Sequence, residues 1–444
     1  MKSSMISTAR PMRVMMLGLR GFPEVQGGVE THAEHLCPRL VKLGCEVTVL
    51  ARAPYQPKEV GNEWNGVKFV SLWAPKSKGL EAILHSFIGV LYAAIKRPDV
   101  LHIQAIGPSI MTLLARLLGL HVVVTHHGPD YDREKWGHFA RSVLKLGESL
   151  GMRLSNRRIV ISKVIADLVR EKYGLESDLI PNGVVLPEMR QGMDTLVEHD
   201  LISGRYVLLV GRLVEEKRHQ DLIEAFTRAA IPGWKLVIVG ASDHPDAYTS
   251  KVIDLAKQNS NVVMTGYLKG LPLRQIYSHA GVFVLPSSHE GLPIALLEAL
   301  SYGLPVLASD IPANLEVGLA ASSYFKVGNI DELVAKLLDV AKTPCCAEER
   351  ESRRNVVACK YNWDKIASDT LSVYAKSIYK DTGITEANLV KSWLPTLAVF
   401  FMLVAFLVGG AHDDAGTSFI AFLDNQHLTS FVNISLFLNL LNLV

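Results

Sequence analysis

The sequence predicts an α/β protein built from two doubly wound, Rossmann-like domains, each a parallel sheet with helices on both faces. Three observations carry that prediction. Short apolar runs bounded by Gly and Pro alternate with helix-period segments along most of the 444 residues. The alternation lapses in a polar, weakly periodic stretch from Leu186 to Leu201, read as a linker, and then begins again. A composition of 49% hydrophobic and 20% charged residues supplies two buried cores and excludes a disordered tail or a disulfide-stapled miniprotein.

The first alternation starts at Met12 with RVMMLGL, a Gly-rich loop, an amphipathic stretch Val29 to Lys42, and EVTVLAR. VKFVSLW, a helical segment Leu80 to Ala94, VLHIQA, a second helix and HVVVTHH follow, and RRIVIS, a helix to Tyr173 and SDLIPNG close the first half. The second alternation runs YVLLVGR, a helix Gln220 to Ala230, KLVIVG, a helix near Thr249 to Gln258 and VVMTGYL. A helix Pro272 to His279, VFVLPS, a helix from Pro293 and PVLASD complete it. Ligands of such sheets bind at the carboxyl ends of the strands, so chemistry belongs in the loops that follow them, and facing crevices would make one central cleft.

Charge and cysteine usage narrow the class. Lys and Arg number 46 against 44 Asp and Glu, so no basic excess points to nucleic acid. Cys37, Cys45, Cys345, Cys346 and Cys359 contain no C-x-x-C, which points to a reducing compartment without structural zinc. The first eleven residues lack the apolar core of a signal peptide, so the globular part is expected in the cytoplasm. Trp393 to Gly410 is an uncharged run of 18 residues and a transmembrane candidate within a membrane-associated tail, 393–444. Lys376, Lys380 and Lys391 before it, and Asp413 and Asp414 after it, put its N-terminal side inside. Ser430 to Val444 is apolar with three Asn, and reads as a second span, an interfacial helix or the edge of something longer.

Several strand-end loops carry candidate chemistry. Gly21 to Gly28 lies between a strand and a helix, where glycine amides and a helix start suit an anion, though an ordinary loop fits as well. Its spacing is not that of G-x-G-x-x-G. The strand HVVVT delivers His126 and His127 to a strand end, where imidazole can bond a substrate hydroxyl. Asp130-Tyr131-Asp132 has the D-x-D spacing of some metal sites, but lacks a third ligand and reads better as a solvated loop. Arg212 and Lys217 bracket a strand-to-helix loop and can neutralise a diphosphate, or else pair with Glu215 and Glu216.

The segment SSHEGLPIALLEALSYGLPVLASD is the most informative. Pro293 suits the first helical position and Gly303 the stop, which leaves amides near Leu292, Pro293 and Ile294 available to a phosphate. Glu290 precedes that helix and Glu298 lies some two turns along it, so carboxylates can meet hydroxyls on either side of a bound diphosphate, as in a nucleotide sugar. Glu298 is flanked by Leu296, Leu297, Ala299 and Leu300, and a carboxylate in such company needs a partner. From Arg133 to Arg158, seven Lys and Arg against two Asp and Glu interleave with apolar residues. That stretch reads either as a basic face on anionic headgroups or as a solvated helix packed on a core.

These motifs taken together resemble the retaining GT-B glycosyltransferases of glycosyltransferase family four, of the type found in bacterial polysaccharide assembly. The likeness covers about Met12 to Lys380 and rests on GGVE at Gly27 to Glu30, THHGPDYDREKW, SKVIADLV with IPNGV, VGRLVEEKRHQDLIEAF, and HEGLPIALLEALSYGLPVLASDIPAN with its E-x7-E pair. YNWDKIASDTLSVY, containing Trp363, resembles the helix that crosses back to the first domain. The resemblance implies an N-terminal acceptor-side domain, 12–190, a donor domain, 202–360, and a crossover helix, 361–380.

It further implies that Glu290 binds hexose hydroxyls and stabilises the sugar cation, and that Glu298 holds the ribose. Arg212 and Lys217 would neutralise the leaving diphosphate, helped by amides at Leu292 to Ile294 and by Gly28. Gly266, Tyr267 and Leu268 would meet the base. His127, which directly precedes the Gly of H-G-x-D, would touch the sugar. Such enzymes work without a metal, because the Arg and Lys pair and the helix end stabilise the charge, so no metal and no cofactor is expected. The expected partners are a nucleoside diphosphate sugar, a lipid-linked or growing glycan acceptor and a membrane lipid surface, at the cytoplasmic face of the inner membrane. Leu-Pro stands here where the family often has Phe-Gly. The rival reading is a catalytically degenerate nucleotide- or glycan-binding scaffold, and a third is a phosphorylase or soluble synthase of the same fold. A complete Arg212, Lys217, Glu290 and Glu298 set argues against the scaffold.

Overall fold

A computed structural model of the chain describes residues 10–75, 80–132, 137–188, 192–242, 245–343 and 345–379. The first sheet holds β1 (Met12–Leu17), β2 (Cys45–Arg52), β3 (Glu63–Trp64), β4 (Val67–Leu72), β5 (Val100–Gln104), β6 (Val122–His126), β7 (Arg157–Val160) and β8 (Asp178–Leu179). Its order is β3-β4-β2-β1-β5-β6-β7-β8, with β3 and β4 an antiparallel pair beside parallel neighbours. The second sheet, of β9 (Tyr206–Val210), β10 (Lys235–Val239), β11 (Val262–Gly266), β12 (Val282–Leu285), β13 (Val306–Ser309) and β14 (Tyr324–Phe325), runs β11-β10-β9-β12-β13-β14 and is parallel.

Both orders reverse once, at β1/β5 and at β9/β12. At such a point the two loops leaving adjacent strands turn opposite ways and open a crevice at the carboxyl ends. The strands are continuous apolar runs because helices cover both sheet faces; β5, β6 and β12 are buried throughout.

The helices are α1 (Gly28–Lys42), α2 (Leu80–Lys96), α3 (Thr112–Leu117), α4 (His138–Leu154), α5 (Lys163–Tyr173), α6 (Asp194–Glu198) and α7 (His219–Ala229). They continue as α8 (Ala247–Lys257), α9 (Gly270–His279), α10 (Ile294–Ser301), α11 (Pro312–Leu315), α12 (Ile330–Lys342), α13 (Ala347–Lys360) and α14 (Trp363–Tyr379). Compactness divides the described residues into a first unit drawn from 10–125, 143–158 and 372–379, and a second from 126–142 and 159–371. In the second unit, Leu209, Leu222, Phe226, Ile238, Val284 and Leu307 form part of one core beneath β9, β10, β12 and β13.

The structure corrects three expectations of local form. The stretch Leu186 to Leu201 is not purely linker, since α6 docks there: the Thr195 amide and hydroxyl donate to Gln275 Oε1 of α9 at 2.9 and 2.6 Å. A single buried turn holding Thr195 and Leu196 is too short to show a helical period. The Asp130 to Asp132 segment is a short 3-10 turn rather than a wholly solvated loop, because Tyr131 is buried with the Lys172 ammonium 4.8 Å from its ring. In α4, Glu148, Leu150, Met152 and Leu154 are buried, so its C-terminal half packs inward, whereas Phe139 near its start is 65% exposed.

Among the described residues no helix is long and apolar enough to cross a membrane. The transmembrane candidate and the whole 393–444 tail lie outside the described residues, as do Arg133 and Lys135 of the basic stretch.

Candidate active site

Every candidate site residue except Gly28 lies in the second unit. The crevice at β9/β12 explains why. After β9 the chain runs through Gly211 and Arg212 into a 3-10 turn, Glu215–Lys217, and after β12 it runs through Ser287 and Ser288 to Glu290. The Ser288 amide donates to Glu216 O at 2.9 Å, tying the two loops together. Lys217 Nζ donates to Glu290 Oε1 at 2.6 Å, with side chains 18% and 11% exposed. A charge-assisted pair of this length, half-withdrawn from water yet reachable, juxtaposes a fixed cation and a fixed anion. Lys217 and Glu290 are thus brought together by strand order, across 73 residues of sequence.

Glycine lets the neighbouring strand ends close up. A Cβ on Gly240, at φ +146°, would lie 1.9 Å from Gly211 O, and the Gly240 amide donates to Gly266 O at 2.8 Å. The ends of β9, β10 and β11 therefore abut backbone to backbone. Gly266, at φ +71°, has open space where a Cβ would stand, Tyr267 is 42% exposed and Leu268 is half-buried. This strand-end rim is apolar and aromatic, a surface that a planar ring can stack on.

The Glu290 loop also meets the histidine loop through backbone. A Cβ on Gly291 would fall 2.0 Å from His127 O, so no side chain fits there. His126 is buried, and its Nδ1 accepts from the Gly128 amide at 3.1 Å, so that ring is used in building the turn. His127 is half-buried.

Leu292 and Pro293 are buried beneath the start of α10. Pro293 occupies the capping position, one residue before the first helical residue Ile294, a correction to its expected place. Proline has no N–H and its carbonyl accepts from Leu296 and Leu297 at 3.0 and 3.1 Å, so the helix-opening amides belong to Ile294 and Ala295.

Glu298 lies on α10 with a defined partner, as its apolar flanks demand. Tyr277 Oη of α9 donates to Glu298 Oε2 at 3.0 Å, and the Tyr277 ring stacks on Tyr302 at 5.1 Å with planes 7° apart. Burial pushes the carboxyl up to about 7, and the Tyr277 hydroxyl acts in the opposite sense. Tyr277 and Tyr302 escaped the sequence reading; the available signal was that a buried tyrosine needs a hydroxyl partner. A second missed group lies behind the Glu290 loop, where Ser309 Oγ donates to Ser287 O at 2.5 Å and Asn314 Nδ2 donates to Ser309 Oγ at 2.9 Å.

Gly28 belongs to the first unit, as the first residue of α1. Glu30 in the same turn is buried and accepts from the Arg20 amide and Nε at 3.1 and 3.2 Å. A Cβ on Gly27, at φ +153°, would meet Glu30 Oε2 at 2.0 Å. Here the glycine accommodates the protein's own carboxylate, which already occupies the positive end of α1. Among the described residues, no three His, Cys, Asp or Glu side chains are grouped as metal ligands.

Residues 26–187 match the model of Glycosyltransferase Family 4, and residues 202–359 match that of the Glycosyl transferases group 1. The chain carries two glycosyltransferase domains in tandem. It is similar to a glycogen synthase of Mycobacterium tuberculosis, 26% identical over 407 residues that cover 82% of this chain and 94% of that protein. It is also similar to a GDP-mannose:cellobiosyl-diphosphopolyprenol alpha-mannosyltransferase of Komagataeibacter xylinus, 24% identical over 66% of this chain and 74% of that one. Among solved structures, Anabaena Alr3699/HepE in complex with UDP and glucose matches with a TM-score of 0.68 at 15% identity, covering 82% of this chain and 99% of that chain. The glycosyltransferase fold is GT-B-like, with parallel sheets in both halves.

Proposed function

We propose that this glycosyltransferase moves a hexose from a nucleoside diphosphate sugar to a lipid-linked or growing glycan acceptor, retaining the anomeric configuration and using no metal. The carrying observation is the Lys217–Glu290 pair at 2.6 Å in the β9/β12 crevice, beside the amides that open α10. In the donor complex the β-phosphate takes the Lys217 ammonium, with Arg212 and the Ile294 and Ala295 amides, and Glu290 is released to the sugar hydroxyls and the developing positive charge. Glu298 holds the ribose, the Gly266 to Leu268 rim meets the base, and His127 faces the sugar. The bond from the anomeric carbon to the phosphate oxygen breaks as the acceptor oxygen bonds to that carbon, and the departing phosphate takes the acceptor's proton.

Under this reading residues 202–360 bind the donor with help from Gly28 at the diphosphate, 12–190 receive the acceptor, and 361–380 form the crossover helix. Support for a lipid-linked acceptor at the cytoplasmic face of the membrane comes from the Komagataeibacter relative, whose name specifies a diphosphopolyprenol acceptor, and from the uncharged run Trp393 to Gly410. Thermal stability measured with UDP, GDP, ADP and dTDP in the absence of metal tests the donor site. One diphosphate raises the melting temperature of the wild type and loses that effect in Glu298→Ala. No shift with any of the four transfers the weight to the scaffold reading.

A further inference from the structure

The helix pair α9/α10 contains a buried side chain that none of the assigned roles uses. Tyr277 is 2% exposed and its ring stacks on Tyr302 at 5.1 Å and on Phe283 at 6.1 Å. With the ring so packed, the hydroxyl oxygen is fixed and only the O–H bond can turn about the ring–oxygen bond. It lies 3.0 Å from Glu298 Oε2 and 3.5 Å from Ala295 O, the carbonyl of the first turn of α10. A phenol donating to a carboxylate both fixes the rotamer of the acid and favours its charged form.

We propose that Tyr277 is a positioning residue that holds Glu298 ionised and aimed for the ribose hydroxyls of the donor nucleotide. The inference rests on the reading of Glu298 as the ribose ligand. A diol donates to a carboxylate and gives a carboxylic acid little to accept, so the nucleotide selects the charged form of Glu298. With that carboxyl near 7, the ionised fraction changes across neutral pH. The groups facing Glu298 are Tyr277 from α9 and Tyr302 from the end of its own helix, and Arg274 and Arg354 act in turn on Tyr302. None of the other named groups supplies the donor that Tyr277 does.

The test compares wild type with Tyr277→Phe by isothermal calorimetry between pH 6 and 9. The probe is whichever of UDP, GDP and ADP binds the wild type most tightly. Titration of the phosphates is common to both proteins and cancels in the ratio of dissociation constants. If loss of the hydroxyl raises the Glu298 carboxyl by one further pH unit, Tyr277→Phe binds about tenfold more weakly at pH 6 and approaches the wild type by pH 9. A purely structural role weakens binding by one factor at every pH. A ratio that stays constant from pH 6 to 9, whatever its size, overturns the proposal.

A ligand-free measurement gives the same decision. The stability difference between wild type and Glu298→Gln grows from pH 4.5 and levels off near the Glu298 carboxyl, about pH 7, and this upper limit moves upward in the Tyr277→Phe background. An upper limit that does not move overturns the proposal as well. Undiminished nucleotide affinity in Glu298→Ala sinks the ribose reading itself, whereas a silent Tyr277→Phe beside an impaired Glu298→Ala sinks the positioning role alone.

Discussion

The two units place charge at the same position, the carboxyl ends of their central strands, and use it in opposite ways. In the first unit Arg20 is bonded to Glu30, and Arg52 donates to Glu81 at 2.8 Å while the Tyr55 hydroxyl takes the other carboxylate oxygen at 2.8 Å. Those side chains are 9 to 13% exposed and reciprocally matched. In the second unit, among the described residues, Lys217 and Glu290 are linked by one bond across two loops, and the Glu298 carboxyl takes one phenolic donor. Closed networks fasten loops, whereas a cation and an anion joined once at a crevice can exchange that bond for a ligand. At a strand end, the number and reciprocity of the bonds therefore govern how readily a charge can be handed to a ligand.

Substitutions at matched positions break or sharpen the contrast. The largest effect is expected for Glu290→Ala, which lowers sugar transfer at least about a hundredfold, since it removes a group that acts on the developing charge. Because Lys217 is left largely buried without its carboxylate, some folded stability is lost as well. Full transfer by Glu290→Ala in a radiolabelled donor assay ends the proposed assignment. The first-unit counterpart, Glu81→Ala, behaves in the reverse sense. It leaves the Arg52 guanidinium buried without its carboxylate and costs about 3 kcal/mol, read by urea unfolding, with nucleotide affinity unchanged.

A third prediction concerns competition within the pair. Glu290→Gln frees Lys217 from its charged partner, so the preferred nucleoside diphosphate binds more tightly, by about tenfold or less, even as transfer collapses. Weaker binding in Glu290→Gln contradicts the exchange of Lys217 from carboxylate to phosphate.

Acid separates the units further. Burial lowers His85 and His102 of the first unit to about 3 and His35 to about 4. The unfolded chain protonates these rings near 6.5 while the fold keeps them neutral, so stability is lost as pH falls below 6.5. Glu298 has the opposite sign, because its folded carboxyl is raised from 4.5 to about 7. The stability it contributes is complete below 4.5 and disappears as pH rises through 7, so Glu298→Gln gains on wild type over that window. His219 of the second unit is also lowered to about 3, which makes the contrast one of degree. Hydrogen exchange at pH 5 is expected to accelerate in α2 and β5 before α10. The smallest predicted effect is a melting-temperature difference of a few degrees between Glu298→Gln and wild type, opening from pH 4.5 to 7.

Much of this was legible in local sequence because its signals are local. A parallel strand buried on both faces must be a continuous apolar run, so VLHIQ, VVVTH and VFVL declared themselves and the two alternations gave the fold class. Pro293 and Gly303 bracketed α10 to within a residue. The spacing of Glu290 and Glu298 singled out a loop and the helix after it. Where the signal was weak the reading failed for a physical reason. One turn of α6 has no measurable period, and Tyr131 looked solvated until Lys172 of α5 lay over it.

The pairings were beyond the sequence. That Lys217 meets Glu290 follows from β9 lying beside β12, a choice of strand order that no stretch of chain encodes. That Gly291 must be glycine follows from the carbonyl of His127, which comes from a different loop. That Glu298 has its donor follows from the packing of α9 on α10, which turns Tyr277 inward. Residue type and spacing determine which groups stand at strand ends and helix starts, because backbone geometry is local. Which of those groups share a bond, and therefore which charge is fastened and which can be handed to a ligand, is decided by contacts between distant segments and exists only in the folded chain.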